Sequence, residues 1–125
     1  DKDNNLIKGG GAAHTREKIV AAAARDFICI VDKSKIVNKL GDFPLPVEVI
    51  PESRSLVARR ILALGGIPEL RVGITTDQGN EILDVKGLDL SNPKDIELKL
   101  NSFAGVVDNG IFSFQKPSLV LISEV

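Results

Sequence analysis

The stretch Asp26-Phe27-Ile28-Cys29-Ile30-Val31-Asp32 sets an unbroken apolar run between two carboxylates. An apolar run with no polar alternation reads as a strand buried on both faces, as in a parallel sheet covered by helices. The residues before it fit the same grammar. Asn5-Leu6-Ile7-Lys8 reads as the end of a short strand and Gly9-Gly10-Gly11 as a flexible turn. Ala12 to Arg25 reads as a helix, because Ala21-Ala22-Ala23-Ala24 is a strong helix former. Ile19, Ala22 and Ala23 stand at i, i+3, i+4 and mark its expected buried face. Strand, glycine loop, helix, strand is the order of a doubly wound α/β fold.

The composition changes at Phe43-Pro44-Leu45-Pro46, where two prolines read as a hinge between domains. Beyond it, Val47 to Ile50 reads as a strand. Ser53 to Leu64 reads as a helix with Val57, Ile61 and Leu64 on one face and Gly65-Gly66 as its stop. Glu69 to Thr75 and Glu81 to Val85 read as strands joined through Asp77-Gln78-Gly79-Asn80, which carries hairpin-turn chemistry. Asn92 is a candidate N-cap, with Pro93 at the first helical position and Ile96, Leu100 and Phe103 as the apolar stripe. Val106 to Phe112 supplies another strand, and Leu119 to Ile122 a last one that is expected to return to the first sheet. The order βαββαβ is the ferredoxin-like split unit. The expected architecture is therefore α/β: a partial doubly wound (Rossmann-like) parallel sheet from residues 1–43 and 119–125, and a ferredoxin-like α+β small domain from residues 44–118.

Composition narrows the function classes. An apolar content of 43% over 125 residues excludes a disordered tail. Sixteen Lys and Arg against 17 Asp and Glu leave a net charge of −1, which argues against a nucleic-acid or membrane-surface binder. A ferredoxin-like RNA binder needs aromatics on its central strands, and Arg71-Val72-Gly73-Ile74 has none. No apolar run is long enough to span a bilayer, and the first residues do not read as a signal peptide. A lone Cys29 cannot form an internal disulfide, so a cytoplasmic setting is expected, with Cys29 an inert core residue. The sequence contains no methionine, so position 1 is not expected to be a native start.

The chemistry-bearing residues concentrate near the glycine loop. Lys8-Gly9-Gly10-Gly11 lies between strand and helix, where backbone N–H groups and a lysine can meet an anion. A plain βα turn has the same spacing. Glu17, early in the helix, can act as a general base over the loop; the alternative is a surface carboxylate favoured by the helix dipole. Arg16 and Lys18 beside it read as solvated. Lys35, in Asp32-Lys33-Ser34-Lys35, follows the apolar strand. The strands before Lys8 and Lys35 are expected to be parallel, so both ammonium groups would project from one sheet edge toward an anion, or else Lys35 sits on a charged surface loop. With one His and one Cys no zinc cluster is available, and His14 reads as a neutral loop or helix-start residue. Asp1, Asp3 and Asn5 mimic the start of a calcium loop, but Leu6 and Ala12 break that pattern.

Lys8-Gly-Gly-Gly-Ala-Ala-His-Thr-Arg-Glu-Lys-Ile19 resembles the signature loop and helix of type A ribose-5-phosphate isomerases. Phe27-Ile28-Cys29-Ile30, Asp32-Lys-Ser-Lys35, Phe43-Pro-Leu-Pro-Val-Glu-Val-Ile-Pro51 and Thr76-Asp-Gln-Gly-Asn-Glu-Ile-Leu-Asp-Val85 continue the resemblance in order, from about Asn4 to Val120. It implies an aldose–ketose isomerase that interconverts ribose 5-phosphate and ribulose 5-phosphate without a metal or organic cofactor, as a homodimer. Glu17 would be the base that moves a proton between C1 and C2 through an enediolate. Lys8 and the backbone of Gly9, Gly10 and Gly11 would line the site and stabilise the enediolate oxygens, and Lys35 would hold the phosphate. The family also has an upstream part with a Gly-Thr-Gly-Ser-Thr-like phosphate loop and an Asp-Gly-Ala-Asp motif. Neither occurs in this sequence, where Asp1 and Asp3 fall after that motif, and His14 stands where an apolar residue is more usual. The rival expectation is a noncatalytic fragment that binds a small ligand or dimerises through the second unit.

Overall fold

Leu45–Val49 (β3) is buried along its whole length, and the molecule is organised around it. Strand residues alternate between faces, and this strand puts a different chemistry on each. Leu45, Val47 and Val49 point into the apolar core, which also holds Val57, Ile61, Leu83, Val85 and Leu100. Pro46 and Glu48 point the other way, toward the N-terminal glycine loop and the first helix. The structure is a computed structural model and describes residues 1–124.

In chain order the remaining elements are β1 (Leu6–Ile7), α1 (His14–Ala23), β2 (Ile28–Asp32), α2 (Arg54–Ala63), β4 (Ile67–Leu70), β5 (Glu81–Lys86), α3 (Pro93–Asn101), β6 (Val106–Asn109), β7 (Ile111–Phe112) and β8 (Leu119–Ser123). Short 3-10 turns cover Lys33–Lys35 and Pro51–Ser53. The main sheet has four strands in the order β4-β5-β3-β6, all pairs antiparallel. Helices α2 and α3 seal one face through Val57, Ile61 and Leu100, all fully buried. Gly65, at φ 98°, turns the chain out of α2, with Gly66 N–H donating back to Ile61 O at 3.0 Å. Pro93 opens α3 as expected. Asn92 gives it no side-chain cap, and its amide bonds Asp95 instead, at 2.9 Å.

Four expectations are corrected. The strand read over Glu69 to Thr75 is shorter and earlier, Ile67–Leu70. It ends because Gly73, at φ 79°, turns the chain at Val72-Gly73. The strand read from Val106 to Phe112 is broken at Gly110, where the chain passes from pairing with β3 to pairing with β1, so closely that a Cβ there would lie 2.2 Å from Lys8 O and 3.0 Å from Pro46 Cδ. That close approach seats β1 against β7, in a sheet separate from the one that holds β2. Lys8 N–H donates to Gly110 O at 2.8 Å, and β1 runs antiparallel to β7, with Leu6 opposite Phe112. β2 does pair in parallel, with β8, from Ile28↔Leu119 to Asp32↔Ser123. Among the described residues these two strands form a sheet of their own, so β2 is open rather than buried on both faces, with Ile30 74% exposed and Cys29 half-buried.

The fourth correction concerns α1. Its ends fall within two residues of the expected Ala12–Arg25. Its buried face is not Ile19, Ala22 and Ala23 but His14, Thr15, Lys18 and Ala21, and Ile19 is 62% exposed. Polar anchors outweigh the apolar periodicity: Glu48, Glu97, Asp108 and the Asn109 carbonyl all hold side chains of this helix. Lys18, read from sequence as solvated, is therefore buried.

Candidate active site

The glycine loop is shaped by two residues with positive φ, Gly9 (110°) and Ala12 (63°). A single turn hydrogen bond, Ala12 N–H to Gly9 O at 3.0 Å, closes it. Gly9 is required by both conformation and space. A Cβ at this position would sit 2.7 Å from His14 Nδ1 and 2.9 Å from Pro46 Cγ. Gly10 and Gly11 are different. Neither has a positive φ, a Cβ on Gly10 would meet only Phe43 at 3.8 Å, and one on Gly11 would meet nothing within 4 Å. Among the described residues no protein acceptor takes the N–H of Gly10 or Gly11. The loop thus offers two open peptide donors at the start of α1, which has no side-chain cap.

Lys8 and Glu17 meet beside this loop, Nζ to Oε2 at 2.8 Å, with side chains 32% and 40% exposed. They line an open cleft of about 480 Å³ whose apolar wall includes Val20, Phe27, Ile28 and Phe112. Phe112 is fully buried, packs edge-on to Phe27 with centroids 6.3 Å apart, and lies beneath Lys8 Nζ at 6.0 Å. Glu17 is held in the first turn of α1, where the helix dipole favours a carboxylate.

The azimuth of Glu17 is set by its neighbours on the helix. Lys18 Nζ donates to Glu97 Oε2 at 3.0 Å, Asp108 Oδ1 at 2.9 Å and Asn109 O at 2.8 Å, and lies 4.9 Å over the Phe112 ring. Thr15 donates to the fully buried Glu48 at 2.5 Å. The other oxygen of Glu48 accepts from Thr76 at 2.8 Å and Asn80 at 2.9 Å. His14 Nε2 donates to Asp108 O at 3.2 Å, while its Nδ1 has no partner and faces Gly9. Burial pushes the His14 pKa down, so the ring is neutral, as read from sequence.

A further contact reaches the loop from the sheet. Arg71 binds Asp84 with Nε at 2.9 Å and a terminal nitrogen at 2.6 Å. Its other terminal nitrogen donates to both Gly9 O and Gly10 O at 3.1 Å.

The structure brings together Lys8, Gly9, Gly10, Gly11 and Glu17. Lys35 stands apart, exposed on the 3-10 turn after β2, and does not line the cleft. That turn is capped by Asp32, whose carboxyl is held below the usual range chiefly by its hydrogen bonds from Ser34 and further by the charge of Lys35. Sequence reasoning missed Thr15, Glu48, Arg71, Asp84 and Asp108. Polar residues at core positions carry no periodic signal, and their partners are distant in sequence. Among the described residues no group of three or more His, Cys, Asp or Glu is arranged to hold a metal ion, and no helix is long and apolar enough to cross a membrane.

Comparison with known proteins decides the family. The profile described as "Ribose 5-phosphate isomerase A (phosphoriboisomerase A)" matches residues 1–124. The chain belongs to the ribose 5-phosphate isomerase A family. The ribose-5-phosphate isomerase A of Acidithiobacillus ferrooxidans is 59% identical over 121 residues, covering 97% of this chain and 55% of that protein. The crystal structure of ribose 5-phosphate isomerase A from Neisseria gonorrhoeae superposes with a TM-score of 0.94 at 50% identity, covering 95% of this chain and 53% of that one. A D-ribose-5-phosphate isomerase in complex with phospho-erythronic acid superposes at 0.88 with 39% identity, covering 94% and 55%. The chain spans about half the length of the ribose 5-phosphate isomerases A it matches. Its fold is α/β, like theirs.

Proposed function

We propose that the protein carrying this chain interconverts ribose 5-phosphate and ribulose 5-phosphate through an enediolate, with Glu17 as the general base. The observation that carries the reading is the Lys8–Glu17 pair at 2.8 Å, beside a loop whose Gly10 and Gly11 N–H groups have no protein acceptor among the described residues. Aldose–ketose isomerisation needs one base that takes a proton from C2 and returns it to C1, and fixed donors where negative charge develops on O1 and O2. Glu17 supplies the first. Lys8 and the backbone of Gly9, Gly10 and Gly11 supply the second. The identities of Gly10 and Gly11, which neither φ nor packing demands, are accounted for by a ligand that approaches the backbone closely. Phospho-erythronic acid, bound by a 39%-identical relative, carries a carboxylate whose two oxygens share one charge, as an enediolate's do.

In this reading Lys35 meets the phosphate, no metal or organic cofactor takes part, and the protein works as a cytoplasmic homodimer. The four-stranded unit is ferredoxin-like, which its β4-β5-β3-β6 order supports, and spans residues 44–118. Residues 1–43 and 119–124 belong to a Rossmann-like catalytic domain, which the parallel β2–β8 pair supports; residue 125, expected in it too, lies outside the described residues. The test is ribulose 5-phosphate formation by the intact protein and by its Glu17→Gln variant. A loss of about 10²-fold or more in kcat is expected. Full activity in the variant removes Glu17 from the mechanism. A well-folded but inactive unmodified protein removes the isomerase reading and favours the binding module.

A further inference from the structure

We infer that Arg71 is a positioning residue for the glycine loop, a brace that fixes the Gly9 and Gly10 carbonyls so that the Gly10 and Gly11 N–H groups point away from the sheet and stay open to a ligand. The kinetic arm of this inference rests on the isomerase reading; its geometric arm does not.

The loop is strained. Among the described residues Ala12 is one of two non-glycines with positive φ, and such a conformation persists only where the surroundings over-determine it. The loop's own turn bond, Ala12 N–H to Gly9 O, is one constraint. Gly10 and Gly11 pack against almost nothing, so side-chain contacts do not supply a second. Arg71 does. One terminal nitrogen bridges two consecutive carbonyls at 3.1 Å each, which holds the peptide planes between them. The rest of the fork is occupied by Asp84, across the hairpin on β5, so the guanidinium itself is not free to swing. Asp84 also raises the Arg71 pKa, chiefly through that hydrogen bond, so the charge is constant across the working range.

Each carbonyl that Arg71 takes belongs to the peptide whose N–H is on the following residue. Gly9 O shares its plane with Gly10 N–H, and Gly10 O with Gly11 N–H. Binding both oxygens from the sheet side therefore turns both N–H groups away from the sheet, and these are the two donors left open. A lysine cannot reproduce this, since a point charge on a flexible stem has no fixed fork to split between a carboxylate and two carbonyls.

The test uses the intact protein with Arg71→Gln, Arg71→Lys and the pair Arg71→Gln/Asp84→Asn. The pair removes both charges, so Asp84 is not stranded. Arg54→Gln, which breaks an exposed ion pair with Glu81 away from the loop, is the control. In all three Arg71 variants kcat for ribose 5-phosphate is expected to fall about 10-fold or more, with KM little changed, because misplaced donors are lost to the transition state. The control is expected to keep the unmodified kcat. Amide exchange at Ala12 is expected to accelerate about 10-fold in Arg71→Gln, since loss of the brace frees the turn. The inference is overturned by an Arg71→Gln/Asp84→Asn protein with unmodified kcat, by full rescue in Arg71→Lys, or by unchanged exchange at Ala12. If the unmodified protein turns over no ribose 5-phosphate, the isomerase reading fails, and the exchange measurement alone judges the brace.

Discussion

Replacing Lys18 with methionine keeps an unbranched side chain, one atom shorter, and removes its charge. In the native structure that charge meets Glu97 at 3.0 Å, Asp108 at 2.9 Å and the Asn109 carbonyl at 2.8 Å, with side-chain exposures of 10% for Lys18, 4% for Glu97 and 15% for Asp108. Removing one partner of a buried pair costs about 3–5 kcal/mol, because the other charge stays buried without compensation. The lower end applies here. Glu97 Oε1 still accepts from Ser113 N–H at 2.9 Å and Phe114 N–H at 3.2 Å, and Asp108 Oδ1 still accepts from Asn101 and the Asn109 N–H. For a protein about the size of the relatives, about 3 kcal/mol corresponds to a fall of roughly 6–12 °C in Tm, measured by calorimetry. A second variant separates the orphaned charge from the lost packing. Lys18→Met/Glu97→Gln is expected to recover part of that fall, since a neutral amide in place of the carboxylate needs no cation. Activity should drop alongside stability, because Glu17 is the neighbouring residue on the helix that Lys18 pins. A Lys18→Met protein whose Tm stays within about 1 °C of the original would refute the reasoning, since the network would then be energetically neutral.

The glycine loop separates conformation from function at adjacent positions. Gly9→Ala must place a Cβ 2.7 Å from His14 Nδ1 at φ 110°, so a loss of about 1–3 kcal/mol or more is expected in denaturant titration. Gly11→Ala meets nothing within 4 Å and has no positive φ, so stability is expected to hold or rise by about 0.4–1 kcal/mol while kcat falls. Unchanged kcat in Gly11→Ala would mean that nothing approaches the backbone there. Burial lowers the His14 pKa below its ordinary 6.5, so on acidification the unfolded chain takes up a proton there before the native one does. Stability from this group is complete above pH 6.5 and declines as pH falls from that value toward the lower native pKa. His14→Leu should therefore flatten the fall of Tm between about pH 7 and about pH 5, and an unflattened profile assigns the loss to other groups.

Much of the fold was legible because it follows from apolar pattern and punctuation. Val57, Ile61 and Leu100 stand at helical spacing and do fill the core, and Gly65 does end its helix. The glycine loop, Lys8 and Glu17 were legible from their position between strand and helix. The orientation of α1 was not, because an apolar template weighs Ile19 and Ala22 and gives no credit to a threonine or a lysine. Here His14, Thr15 and Lys18 have partners from β3 and β6 that lie 33 to 94 residues away in sequence, and no local pattern encodes them. The consequence bears directly on the site. At about 100° per residue, His14, Thr15, Lys18 and Ala21 fall within one arc of the helix, and Glu17 falls roughly a quarter-turn from its middle. That angle keeps the carboxylate out of the buried Lys18 network and on the flank where Lys8 meets it. Had the apolar face been the buried one, centred on Ile19 and Ala22, Glu17 would lie well away from that flank. The polar anchors that make α1 hard to read from sequence are thus what aim its carboxylate at the loop.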